Sequence, residues 1–189
     1  RNFKESLQKA LNSLEIGLSG LDQIFNYSKK EIAKNLKINI PNRILLVAEA
    51  LRKKFTVSKI YKLSGIDPWF IEQIKEIVEI EKLIKLKGVP KNYLEFNKIK
   101  SIGFSDKKLA QLCNINEKII RRKREALKVF PVFKKVDTCA AEFKSFTPYM
   151  YSTYQRSFSS YSECEADPSD RNKIIILGGG PNRIGQGIE

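Results

Sequence analysis

The residues best suited to chemistry are glycines that follow a run of β-branched residues late in the chain. The apolar run at 174–177 is continuous rather than alternating, and it predicts a parallel strand buried on both faces. Gly178, Gly179 and Gly180 follow it directly. Glycines at that position let the backbone approach a ligand, and the N-terminus of a following helix favours anions. These three glycines are therefore candidate cofactor-binding residues.

The glycine turn departs from both standard phosphate-binding loops. A GxGxxG motif beginning at Gly178 would need glycine where the chain has Arg183. A Walker loop beginning at Gly180 would need lysine and a hydroxyl residue where the chain has Gln186 and Gly187. The residues by themselves favour tight packing of a helix on a strand, and they leave phosphate binding as the alternative.

The remaining chemical groups indicate neither a metal site nor a catalytic residue. The chain has no histidine, which excludes histidine triads, general bases and metal ligands from this sequence. Cys113, Cys139 and Cys164 are far apart, so reduced thiols of a cytosolic protein are favoured over a disulfide framework or a zinc site. Asp137 and Glu142 have no partner at a catalytic spacing, and we expect ordinary hydrogen-bonding roles for them.

The charge balance raises nucleic acid as a partner, because Lys and Arg number 35 against 21 acidic residues, a net charge of +14. Residues 121–124 form a basic cluster in the second helix of a segment with helix-turn-helix character. The corresponding helix of a similar segment carries Glu72, Glu76 and Glu79 instead, which suits packing better than groove recognition. Solvated helix faces are therefore the favoured interpretation, and nucleic-acid binding through 121–124 is the alternative function.

Apolar residues at three- and four-residue spacings predict a mainly helical chain. Asn2 with Glu5, and Ser28 with Glu31, have capping-box spacing and predict two helix starts. A third helix is expected over about 42–54. The residues expected to face the core from these helices are Phe3, Leu7, Ala10, Leu11, Leu14, Ile32, Leu36, Leu45, Ala48 and Leu51.

Two stretches, 55–71 and 104–120, resemble each other at a constant offset and predict a repeated helical hairpin. Asp67 caps the second helix of the first stretch, and Asn116 has the same position in the second. The helix after Asp67 is predicted to run to about Lys87. The matched apolar pairs are Phe55 and Phe104, Ile60 and Leu109, Leu63 and Leu112, Ile66 and Ile115, Phe70 and Ile119, and Ile71 and Ile120.

Helical periodicity is lost after Pro131. Residues 131–154 suggest an extended segment on a surface, and the serine-rich residues 155–170 suggest an exposed linker. No apolar run approaches the roughly 18 residues that a membrane span requires, and the N-terminus lacks the apolar part of a signal peptide. Because it lacks an initiating methionine, we expect the chain to be a fragment that begins inside a longer protein.

Several motifs stand in order over nearly the whole chain. They are ESLQKAL (5–11), KKVDTCAAEF (134–143), PYMYSTY (148–154), ECEADPSDR (163–171) and ILGGGPNRIGQGIE (176–189), with looser matches in IDPWFIEQI (66–74) and SIGFSDKKLAQL (101–112). Together they resemble the middle of the large, synthetase component of carbamoyl phosphate synthetases. The chain departs from that pattern by additional residues at 155–162 and by a poor match over 22–42.

The resemblance implies a parent enzyme that makes carbamoyl phosphate from bicarbonate, glutamine-derived ammonia and two ATP, for pyrimidine and arginine biosynthesis. ATP with Mg²⁺ or Mn²⁺, a glutaminase subunit or domain, and a cytoplasmic location are implied with it. In this family a helical oligomerisation domain joins two ATP-grasp halves. The chain is expected to be that connector, inactive by itself, and to self-associate through an apolar helix face around Trp69, Phe70 and Ile74.

The resemblance also implies a division of the chain. Residues 1–18 would be the last helix of the first half, residues 19–150 the helical oligomerisation domain, residues 151–171 an extended segment and linker, and residues 172–189 the start of the second pre-ATP-grasp domain. The expected fold is mainly α, with a helix-hairpin repeat followed by the first β-strand and glycine-rich turn of a truncated α/β domain.

The glycine motif acquires a second interpretation from the same resemblance. In this family it borders the interior route along which the carbamate intermediate passes. Glu189 is expected to line that passage, with Arg183 nearby. The ATP and metal ligands belong to ATP-grasp segments outside this chain, so the resemblance carries no catalytic residue over to it.

Overall fold

Helices dominate the computed structural model of the chain, which describes residues 2–14, 16–140, 142–143, 146–147, 149–154 and 164–175. Within these residues the mainly α prediction is confirmed. In chain order the helices are α1 (Phe3–Ser13), α2 (Lys29–Asn35), α3 (Arg43–Arg52), α4 (Val57–Ser64), α5 (Pro68–Lys87), α6 (Tyr93–Ser101), α7 (Asp106–Cys113) and α8 (Glu117–Ala126). None of these helices is long and apolar enough to cross a membrane.

Local capping explains why the first two helices start where they do. The Asn2 side chain accepts a hydrogen bond from the backbone N–H of Glu5 at 2.8 Å, so α1 has its predicted N-cap. At α2 the full capping box forms, because the side chains of Ser28 and Glu31 each bind the other's backbone N–H. Ile32 is then turned into the core and fully buried.

The predicted repeat is confirmed to the residue. Helix α4 begins at 57 and α7 at 106, and the helices that follow begin at 68 and 117, so the offset of 49 positions holds throughout. Both turns use a left-handed residue, Gly65 with φ +70° and Asn114 with φ +52°. Asp67 and Asn116 then cap the second helix in the same way, each by accepting from the backbone N–H two positions ahead.

The core forms around α5, which packs against α1, α3, α4 and α7. Three matched pairs of the repeat are buried in it on both sides: Phe55 and Phe104, Ile60 and Leu109, and Ile71 and Ile120. The pair Phe70 and Ile119 behaves differently, because both side chains are exposed. Phe70 and Ile119 are therefore apolar surface residues at matching positions of the two units, and neither is a core residue.

Helix α1 buries polar residues that the apolar periodicity did not predict. Glu5 and Gln8 are buried, whereas Leu14 is exposed. Gln8 donates a hydrogen bond to the carbonyl of Ile102 at 3.0 Å. A Cβ atom added to Gly103 would lie 2.8 Å from the Cα atom of Glu5. The close approach of this turn decides which face of α1 is covered, and no apolar spacing within α1 encodes it.

Helix α6 was not predicted, although its start has a recognisable signal. Asn92 caps it by accepting from the backbone N–H of Glu95 at 3.0 Å, and the Glu95 carboxylate accepts from the backbone N–H of Lys91. The Asn92 and Glu95 spacing is the same one that identified α1 and α2.

Beyond the helices, two short strands pair antiparallel. Strand β1 (Val132–Lys135) lies beside β2 (Met150–Thr153), with Val132 opposite Thr153. The segment near Glu165 runs along the other edge of β1, where the Glu165 backbone N–H donates to the carbonyl of Phe133 at 2.8 Å. The expectation of an extended surface segment therefore holds for these residues.

The strand predicted at 174–177 is not seen at its first two residues. Ile174 and Ile175 lie in irregular backbone and are 93% and 82% exposed. A buried parallel strand needs a paired neighbour, and the described residues place no strand beside this segment. Residues 176 and 177 lie outside the described residues.

Candidate self-association surface

The candidate residues of the glycine motif all lie outside the part of the chain that the structure describes. This applies to Gly178, Gly179 and Gly180 as cofactor-binding candidates, and to Arg183 and Glu189 as candidates for the carbamate passage. Their roles stay predictions. The site that the structure does describe is built from helix surfaces.

The basic cluster at 121–124 does not form one exposed patch. Arg124 turns inward, with its side chain 11% exposed, and its Nε atom lies 2.9 Å from Oδ2 of Asp106. It also donates to the carbonyl of Val129 at 2.9 Å. Arg121 is exposed and lies 3.6 Å from Glu117 on the same helix. The residue at the end of the cluster is therefore structural, and its guanidinium is held by Asp106 and Val129.

Asp106 joins two buried cations. Its Oδ1 atom accepts from Nζ of Lys100 at 2.8 Å, while Oδ2 binds Arg124. Burial alone would raise the pKa of Asp106, but Lys100 and Arg124 together hold that pKa below its ordinary value. The Nζ atom of Lys100 also lies 5.0 Å from the ring centroid of Tyr154, and burial raises the pKa of the Tyr154 hydroxyl. This cluster fixes the turn between α6 and α7 against α8.

The other chemical candidates have ordinary surroundings. An oxygen of Asp137 accepts from the backbone N–H of Cys139 at 2.9 Å, and Glu142 is exposed. All three cysteines are free thiols. Burial raises the pKa of the Cys113 thiol, whereas hydrogen bonds from backbone groups lower that of the exposed Cys164. Among the described residues, no group of three or more acidic, cysteine or histidine side chains suits a metal ion.

A second ionic network ties α3, α5 and α7 together beneath the surface. The Lys108 ammonium lies 3.1 Å from Glu81 and 2.7 Å from Asp22. The other oxygen of Glu81 lies 2.7 Å from Nη2 of Arg52, and Nη1 of the same guanidinium lies 3.6 Å from Glu49. Because Glu49, Glu81 and Lys108 are buried, each depends on its neighbours for charge compensation.

Three aromatic residues form a cluster where α1 meets the start of α5. The ring of Phe3 lies 5.3 Å from the rings of both Trp69 and Phe70, and those two are 4.9 Å apart. Trp69 is 53% exposed. We call Phe3, Trp69 and Phe70 the aromatic cluster. Ile74, which we expected on the same face, is buried in the core and contributes nothing to the surface.

An apolar groove lies at the opposite end of α5. It has a volume of about 480 Å³ and runs between the last turns of α5, the 88–91 loop and α6. Its apolar wall is formed by Ile80, Leu83, Ile84, Val89, Pro90, Ile99 and Ile102. Its charged rim is formed by Lys87, Lys91, Lys98 and Glu95. Leu83 is 48% exposed, so apolar surface in the groove faces solvent. We call this feature the α5–α6 groove.

The sequence interpretation found the aromatic cluster but missed the groove. Trp69 and Phe70 belong to the face that was expected to associate, whereas one wall of the groove comes from α6, which was not predicted. The Asn92 and Glu95 capping spacing could have revealed α6, but nothing local indicates that α6 lines a groove with the last turns of α5.

Comparisons with known proteins identify the region. A family model described as "Carbamoyl-phosphate synthetase large chain, oligomerisation domain" matches residues 1–128. The carbamoyl phosphate synthase large chain of Pseudomonas putida is 49% identical over 196 residues, covering all of this chain and 18% of that protein. The protein of the same name from Neisseria meningitidis serogroup B is 49% identical over 191 residues, and that from Haemophilus ducreyi is 48% identical over 190 residues.

The chain covers 17% of each of these last two proteins, so it spans less than a fifth of the length of the curated relatives it matches. The family match covers the eight helices from α1 to α8, and the relatives extend the likeness over the two strands and the motifs that follow. This chain belongs to the family of carbamoyl phosphate synthetase large chains, within the region of their oligomerisation domain.

Proposed function

We propose that this chain is the self-associating connector of a carbamoyl phosphate synthase large chain. The observation that carries the proposal is the match of residues 1–128 to a family described as an oligomerisation domain. The structure supports it with two apolar surface features on one long helix, the aromatic cluster and the α5–α6 groove. Exposed apolar features of this kind mark interaction sites on helical proteins.

The activity of the longer protein is part of the same proposal. Its relatives are named carbamoyl phosphate synthases, so the reaction proposed is the formation of carbamoyl phosphate from bicarbonate, glutamine-derived ammonia and two ATP. Two ATP-grasp halves would flank the connector, a glutaminase would supply ammonia, and the protein would be cytoplasmic. ATP and its Mg²⁺ or Mn²⁺ would bind in those halves, as the resemblance to the family implies.

The glycine motif has its own place in the proposal. Glu189 and Arg183 would border the passage of the carbamate intermediate in the assembled enzyme. Gly178, Gly179 and Gly180 would then allow close packing of strand and helix at the start of the second half, and they would not bind phosphate.

Sedimentation velocity tests self-association directly. The purified chain, examined from micromolar to near-millimolar concentration, is expected to shift from monomer to a larger species. A chain that stays monomeric over this range contradicts the proposed role.

An activity assay tests the connector role. The purified chain, supplied with ATP, Mg²⁺, bicarbonate and ammonia, is expected to form no carbamoyl phosphate. Turnover that follows the chain through purification would show that the chain contains a catalytic unit.

A further inference from the structure

We propose that two copies of this chain pack antiparallel along α5, so that the aromatic cluster of each copy enters the α5–α6 groove of the other. The inference rests on the proposed self-association and assigns it to one surface. The occupant of the groove is therefore a second copy of the chain.

Both features lie on one side of α5. Positions 69, 73, 76, 80, 83 and 87 alternate steps of four and three residues, which keeps them in one row along a helix. Trp69 begins this row, and the groove residues Ile80, Leu83 and Lys87 end it. The residues between them are exposed or half-buried, so the row is open along its length. From Trp69 to Leu83 the distance along the axis is about 21 Å at 1.5 Å per residue.

The two ends of this row differ, with the aromatic cluster at one end and the groove at the other. The row of one copy can therefore pair with the row of a second copy only if the two α5 helices run antiparallel. A two-fold axis perpendicular to α5 near Glu76 would place the first end of one copy opposite the last end of the other. Such an interface is isologous, because the same pair of contacts occurs twice. Trp69 then enters the partner's groove beside Leu83 and Lys87, where its ring can pack on apolar side chains and lie close to a cation.

Charge favours this pairing. The chain is strongly basic overall, so two copies repel each other through most of their surfaces. Near the aromatic cluster, Glu72 and Glu76 form ion pairs with Lys75 and Lys4, whereas Asp67 forms no ion pair among the described residues. The groove has three exposed lysines, Lys87, Lys91 and Lys98, on its rim. Reversal of α5 about residue 76 places position 67 opposite position 85, so Asp67 of one copy comes close to the lysines at the groove end of the other and favours the proposed register.

The two-fold axis would pass close to Glu76, at the centre of the proposed interface. Glu76 would approach its own counterpart near the axis, and two bare carboxylates there would repel. In this structure, however, Lys4 from α1 forms an ion pair with Glu76. Two neutral pairs would therefore meet at the axis.

Single substitutions at the two ends test the proposal by sedimentation equilibrium of the whole chain. Trp69→Ala removes the side chain that enters the groove, and Leu83→Glu places a charge in the groove wall. Each is expected to weaken dimerisation by about 30-fold, the size of effect typical of a central interface residue. Ile119→Glu is the matched control, because Ile119 has similar exposure on α8 and does not line the groove. It is expected to change the affinity less than about threefold.

Mixing the two variants tests the reciprocal arrangement. A heterodimer of Trp69→Ala and Leu83→Glu retains one complete contact, because the intact Trp69 of one chain meets the intact groove of the other. Its affinity is expected to lie at least about fivefold above that of either variant alone. If Trp69 instead contacted its own counterpart, or another partner filled the groove, mixing would restore nothing and the arrangement would be overturned.

Circular dichroism and thermal unfolding would show whether each variant is folded. Lys87→Glu serves as an independent probe that keeps both apolar ends, and it is expected to weaken the dimer about tenfold at low salt. A parent chain that dimerises while all three variants match the control overturns this surface and leaves self-association intact. A parent chain that remains monomeric overturns self-association as well.

Discussion

Gly103 lies where the turn between α6 and α7 touches α1. Its φ is +101°, and an added Cβ atom would meet the Cα atom of Glu5 at 2.8 Å. Gly103→Ala should therefore destabilise the chain by about 3 kcal/mol, because backbone strain and overpacking act together. Gly17→Ala is the matched control, since Gly17 has φ +87° with open space around it, and it should cost only about 1 kcal/mol. Urea unfolding measures both, and equal losses would contradict the packing argument.

Asp106 should make the stability of the chain sensitive to acid. Its pKa in the folded chain lies below the ordinary value, so its contribution is complete above that ordinary value and is lost as the pH falls through the folded pKa. Asp106→Asn should therefore lower the melting temperature more at pH 7 than at pH 3. Asp170→Asn, at an exposed aspartate, serves as the control. An equal loss for Asp106→Asn at both pH values would exclude an ionic role.

Residue-level prediction succeeded where the determinants are local. The Ser28 and Glu31 capping box could be recognised because both partners lie within one helical turn. The burial of Glu5 could not, since its carboxylate accepts a hydrogen bond from Thr153, 148 positions away. An acidic residue in an amphipathic helix is predicted to be exposed unless the distant residue that binds it in the core is known.

At the level of elements, α3, α5 and α7 depend on the buried cation Lys108. Lys108→Met would leave Asp22 without its cation and Glu81 with Arg52 alone, and should cost about 3 kcal/mol. The neighbouring Lys107 is exposed, and Lys107→Met should change stability by less than about 0.5 kcal/mol. Thermal unfolding of the two variants gives the comparison. A loss from Lys108→Met as small as that of the control would show that the network is already hydrated.

The helical repeat shows which elements a sequence can reveal. Its units were recognised because the caps, the left-handed turn and the apolar spacing all fall within about 17 consecutive residues. Helix α6 shares only the capping signal, and β1 and β2 are four residues each, too short for a strand period to emerge. The α5–α6 groove depends on one recognised element and one unrecognised element, so it became visible only in the folded chain.

For the whole molecule, Thr153 connects the strands to the first helix. Its hydroxyl donates to Glu5 at 2.9 Å, and both groups are buried. Thr153→Val should cost about 1 to 3 kcal/mol and speed hydrogen exchange at the amides of 150–153, because a buried carboxylate loses its donor. Thr153→Ser keeps the hydroxyl and should keep most of the protection. Equal exchange in the two variants would show that the hydrogen bond does not anchor β2.

The family of the chain was predicted by motif resemblance, not by physical pattern. Periodicity indicated helices and a repeat, but it could not indicate that residues 150–154 return to α1 and to the cluster of Lys100 and Arg124. Contacts of that kind join positions far apart in sequence, and they are decided by which buried polar groups find partners.

The two units of the repeat differ most in the length of their second helix, 20 residues in α5 and 10 in α8. The additional turns of α5 supply the groove wall, and the described part of the second unit has no counterpart to them. In the proposed dimer, each copy would use the aromatic cluster and the groove of its described residues, and a single partner would occupy both. Growth through these features would stop at the pair, whereas a second groove on α8 would leave a free acceptor on every pair and allow chains to join into filaments. The short α8 would then protect the molecule against polymerisation.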